Sequence, residues 1–135
     1  MVITFLGHSS LQSCDFLLEK IKQTISDNIN PNDNIMFFCG AYGDFDNLCA
    51  KACHSIKELY KNCEIIFITP YITPSQQGKI KYMIDSGLYD STIYPPLENT
   101  PPRFAITKRN EWMINQADLV IAYVTHTYGG AYKSL

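Results

Sequence analysis

A chain of 135 residues and 15.4 kDa has the usual size of one domain, and 46% hydrophobic residues are enough for one buried core. No stretch reaches the roughly 20 unbroken apolar residues of a membrane span, so no membrane association is expected. A formal charge of −2 lacks the basic stripe of proteins that track nucleic-acid phosphates, which argues against polymeric partners and leaves small anions open.

Residues 2–6 form a short apolar, β-rich run into Gly7 with no basic leader. They read as a strand and not a signal peptide, which predicts a cytoplasmic protein. After Ser9 and Ser10, the positions Cys14, Leu17, Leu18, Ile21 and Ile25 recur at helical spacing, and the turn formers of residues 28–34 end that helix. Residues 35–39 are apolar and predict a buried strand. A second helix, capped by Asp44 or Asp46, carries Phe45, Leu48, Ala52, Ile56 and Leu59 as one stripe as far as Asn62.

Residues 65–69 are a continuous apolar run of the kind covered on both faces, stopped by Pro70 and Pro74. A short helix over residues 76–85 follows Ser75 and ends at Gly87, and residues 92–94 give a brief strand before Pro95 and Pro96. Pro101 and Pro102 suit the first turn of a helix through Gln116, and residues 118–124 carry the strongest buried-strand signal in the chain.

Strands alternating with helices predict parallel pairing through right-handed crossovers. The expected fold is α/β: a single Rossmann-like, doubly wound, mostly parallel sheet over residues 1–135, with helices on both faces. The chain stops shortly after Gly129 and Gly130, so this architecture is expected to be trimmed at its C-terminal end. An apolar face left by a missing last helix would favour self-association into a homo-oligomer.

Five cysteines, an odd set without CxxC spacing, read as free thiols. Cys49 and Cys53 lie one helical turn apart, but His54 points about 100° away from them, so they read as packed thiols and no metal site is expected.

Three predicted strands enter glycine-containing turns: Gly7-His8-Ser9-Ser10, Gly40-Ala41-Tyr42-Gly43-Asp44, and Thr125-His126-Thr127-Tyr128-Gly129-Gly130. In a parallel sheet these turns gather at one edge, where helix N-termini offer N–H groups to an anion and glycine admits it closely. Gly7, His8, Ser9, Gly40, Gly43, Thr125, Gly129 and Gly130 are therefore candidates to cradle a nucleotide-like, phosphate-bearing ligand. Each glycine can also simply serve its own turn. Tyr42, Phe45 and Tyr128 are candidates to stack on a base. GxGxxG and Walker motifs are absent, which argues against dehydrogenases and P-loop NTPases. No further cofactor is implied, and no nucleophile–base pair is identifiable by spacing.

Arg109 shares a helical face with Ile106, Met113 and Ala117, which places a guanidinium in the stripe that meets the sheet. There it needs an anionic partner: a carboxylate such as Glu98 or Glu111, or a phosphate of the ligand. The ordered proline loop around Glu98, Asn99 and Arg103 is a second candidate lining.

Gly40-Ala41-Tyr42-Gly43-Asp44-Phe45-Asp46, the run from Tyr94 to Asn99 with Pro101 to Asn110, and Ala117-Asp118 through Tyr132 together resemble the SLOG superfamily, most closely its YpsA-like group. The resemblance spans nearly the whole chain. It implies a Rossmann-like fold that binds nucleotides or nucleotide-derived signals as a sensor or sequestering module. The related Lonely Guy enzymes cleave the N-glycosidic bond of nucleoside monophosphates with an Arg, matched in position by Arg109, and a Glu after a proline-glycine-glycine turn. Here Tyr128 stands in place of that proline and the chain stops where the glutamate would fall. The resemblance thus implies a binding fold, with Arg109 and Glu98 the only candidates for hydrolysis or ribosyl transfer.

Overall fold

A computed structural model describes residues 1–7 and 15–123. Five strands, β1 (Val2–Gly7), β2 (Ile35–Cys39), β3 (Cys63–Ile68), β4 (Ser91–Ile93) and β5 (Leu119–Tyr123), alternate with four helices, α1 (Asp15–Asp27), α2 (Asp44–Leu59), α3 (Pro74–Asp85) and α4 (Ala105–Gln116). The strands form one all-parallel sheet in the order β4-β3-β2-β1-β5, a Rossmann-like α/β fold. Strand order reverses at β1. The chain first steps outward to β4 and then crosses back to place β5 on the other side of β1.

Period-two alternation divides the strands between two cores. Ile3, Phe5, Ile35, Phe37, Cys39, Cys63, Ile65 and Phe67 face α1 and α2 in the larger core, against which Ile80 and Met83 of α3 also pack. Phe38, Ile66 and Ile68 point to the opposite face and meet Met113 and Trp112 of α4. Trp112 lies parallel to Phe38 with ring centroids 5.6 Å apart. Three helices thus cover one face and one covers the other, as right-handed crossovers require for this strand order.

Two details depart from the sequence expectation. Gly43 is the N-cap of α2, at φ 94°, so Asp44 and Asp46 fall inside the first turn and neither caps it. The β5 strand, expected to be the most buried, is an edge strand whose residues are half-buried to exposed. Its apolar composition identifies a strand but does not say that only one side of it has a neighbour. β5 is fixed at its start by Asp118, whose Oδ2 accepts from the Val2 N–H at 2.7 Å and whose own N–H donates to Val2 O at 2.8 Å.

Cys39, Cys49, Cys53 and Cys63 are free and buried, Cys49 and Cys53 as the packed pair expected from their spacing, while Cys14 lies outside the described residues. Burial raises the Cys49 and Cys53 thiols well above their ordinary value, which keeps them protonated and inert. His54 is engaged elsewhere, donating to Leu88 O at 2.8 Å. Among the described residues there is no group of side chains that could hold a metal, and no helix long and apolar enough to cross a membrane.

Candidate functional site

The loop from β2 to α2 is built by its backbone. Ala41 adopts φ 52°, a left-handed conformation that costs an alanine about 1 kcal/mol, so surrounding bonds must hold it there. One such bond runs from the Tyr42 N–H to Asp46 Oδ2 at 2.8 Å. The result turns the Tyr42 ring outward, where it is 60% exposed.

Arg109 enters the same corner from α4 and is only 2% exposed. Its Nη1 donates to Gly40 O at 3.0 Å and to Ile68 O at 2.8 Å, and its Nε donates to Asn110 Oδ1 at 3.0 Å. One side chain therefore ties together the C-terminal ends of β2 and β3. Of the two carboxylates expected from sequence, Glu111 pairs instead with Lys108 at 3.4 Å, and Glu98 is exposed in the proline loop.

The carboxylate that balances Arg109 is Asp46. Burial pushes its carboxyl up to about 6, against the pull of the Tyr42 N–H and the Arg109 charge. Burial likewise lowers Arg109, opposed by attraction to Asp46. Gly40 makes room for both groups: a Cβ there would lie 2.9 Å from Asp46 Oδ2 and 3.1 Å from Arg109 Nη2. Gly7 likewise admits the Phe45 ring, 2.3 Å from where its Cβ would stand. Phe45 is thereby buried, and its ring lies against Tyr123 at 6.1 Å, so it is not available to stack on a base.

Above this corner a cleft of about 830 Å³ opens at the C-terminal edge of β2 and β3. Gly40, Ala41 and Tyr42 form one wall and the α3 residues Ser75, Gly78, Lys79 and Tyr82 the other, with Tyr71 and Arg109 between. Among the described residues, Lys79 and Arg109 are the charged side chains that line it, and no carboxylate does. A smaller cleft of about 290 Å³, holding Tyr94 and Glu98, lies beyond Tyr71, which lines both. Arg103 lines neither cleft; its guanidinium sits over the Phe104 ring at 4.8 Å from the centroid.

Of the residues predicted from sequence, the structure brings together Gly40, Tyr42 and Arg109, with Gly43 one position further along the same loop. It separates them from Glu98 and Arg103. His8, Ser9, Thr125, His126, Tyr128, Gly129 and Gly130 lie outside the described residues. Tyr71, Lys79 and Tyr82 were not anticipated: only their spacing around Pro74 and along α3 carries a signal, and it is shared with any surface helix. In comparison with known proteins, no family matches this chain and no curated protein matches its sequence.

Proposed function

We propose that the chain binds a nucleotide or nucleotide-derived, phosphate-bearing small molecule in the cleft above Gly40 and Arg109, as a sensor or sequestering module of the SLOG type. The observation that carries this reading is the lining: among the described residues, three tyrosines, a lysine and an arginine and no carboxylate surround open space at the C-terminal edge of a parallel sheet. Tyrosine faces accept a planar base, and Lys79 offers a cation to a phosphate. Open α/β sheets take their ligands at this edge. N-glycosidic cleavage would need a carboxylate beside the bound sugar, and Glu98 opens into the neighbouring cleft, so binding is the better-supported activity.

The test is thermal unfolding against nucleoside mono-, di- and triphosphates, cyclic nucleotides, NAD and ADP-ribose, with wild type compared to Lys79→Glu and Tyr42→Ala. Both side chains are exposed, so neither variant should perturb the core. A ligand at 100 times its Kd adds about 2.7 kcal/mol, which raises Tm by several degrees. A rise in wild type that Lys79→Glu loses supports the reading. No rise with any compound overturns it, and sedimentation would then test self-association instead.

A further inference from the structure

Four of the five described glycines are required by the fold itself. Gly7 and Gly40 have no room for a Cβ, and Gly43 and Gly87 adopt positive φ. Gly78 is different. It lies in the interior of α3, with no positive φ, and a Cβ added to it would meet nothing within 4 Å. Glycine at such a position weakens a helix relative to alanine, and nothing within the described chain offsets that loss.

What Gly78 does face is the cleft. Ser75, Gly78, Lys79 and Tyr82 follow one another at i, i+3, i+4 and i+7 and form a single flank of α3, all of them exposed and all lining the cleft. The helix is held to the sheet through other positions, among them Ile80, and no residue of α3 is fully buried. The flank is thus a shallow notch: bare backbone at Gly78, an aromatic ring one turn further along, and an ammonium beside it.

We propose that Gly78 is a specificity-determining residue of the cleft, where the bare helix backbone admits a planar heteroaromatic ring flanked by Tyr82, while Lys79 meets the ligand's anionic group. This rests on the nucleotide-binding reading and assigns the wall on which the ring lies. A flat ring gains most from a surface without a side chain, since any Cβ branch would hold it off the backbone by the width of a methyl group. A lining whose exposed charge, among the described residues, is the Lys79 ammonium disfavours a cationic ligand and fits a ring that carries phosphate.

The experiment separates binding from folding, because the two should move in opposite directions. Gly78→Ala and Gly78→Leu both improve helix propensity at an open site, so Tm of the free protein should rise by about 3 °C. Affinity for whichever nucleotide in the panel stabilises wild type should fall modestly in Gly78→Ala and by about tenfold or more in Gly78→Leu, where the side chain overfills the notch. Lys81→Leu, on the same helix but away from the cleft, should bind as wild type does. A Gly78→Leu protein that binds as tightly as wild type overturns the assignment while leaving the proposed function standing. If wild type binds no nucleotide at all, the proposed function falls and this assignment falls with it.

Discussion

Asp46 and Arg109 flank the bare Cα of Gly40, so that a methyl group there would stand within 2.9 Å of the carboxylate and 3.1 Å of the guanidinium. The corner is therefore a closed packing arrangement of charge against backbone, and the ligand cleft lies above it. Arg109 acts first as a structural clasp between β2 and β3.

That arrangement makes the two strand-end glycines sensitive to the smallest change. Gly40→Ala should destabilise by about 1–3 kcal/mol, the usual consequence of overpacking a site whose neighbours are held. Gly7→Ala should cost more, because its methyl group would stand 2.3 Å from the ring of Phe45, which is itself only 1% exposed. Urea unfolding measures both, and a Gly40→Ala protein as stable as wild type would show that Arg109 is free to move.

Removing the clasp should be more damaging than its single positive charge suggests. Arg109→Ala leaves the Gly40 and Ile68 carbonyls without their donor and Asp46 without its counter-charge, a loss of about 3–5 kcal/mol. Adding Asp46→Asn to Arg109→Ala should recover part of it, since the stranded charge is then gone. A double variant no more stable than the single would refute the coupling.

The pH dependence of stability should carry the signature of Asp46. Its folded-state value is raised from 3.8 to about 6, chiefly by burial, so between these values the native protein holds a proton that the unfolded chain has released. Its contribution to stability is complete below the unfolded value and is lost as pH rises through the folded one, a change of roughly 3 kcal/mol. Asp46→Asn does not titrate. Its stability relative to wild type should therefore climb across this interval and level off above it, as followed by urea unfolding at a series of pH values. A flat difference would show that Asp46 is ionised throughout.

Sequence pattern carried the fold further than the site. β2 could be read residue by residue, β1 to within one residue at its end, and β3 to within two residues at its start and one at its end, because strands buried on both faces are continuous apolar runs with turn formers at their ends. β5 has the same composition, but apolar content reports a strand's faces and not its neighbours along the sheet, so its edge position was not legible. The buried location of Arg109 followed from its helical face, whereas its partners did not. Two of them are backbone carbonyls, which every residue possesses, a third is the side chain of the neighbouring Asn110, and the balancing charge comes from Asp46, a residue that pattern alone assigned to a helix cap. The one sequence hint was that Asp46 follows directly on Phe45 in the first turn of an apolar stripe.

The pairing of β1 with β5 has a consequence for how the chain folds. β1 to β4 are laid down in spatial order, each beside the strand made just before it, so this half of the sheet can grow by successive local additions. The Val2–Asp118 contact instead joins residues 116 positions apart. Closing so long a loop is entropically slow, and its benefit arrives only when both strands are in place. The fifth strand should therefore dock onto a sheet that is already formed, so that β1 gains its second neighbour late even though it precedes the other four strands in the chain.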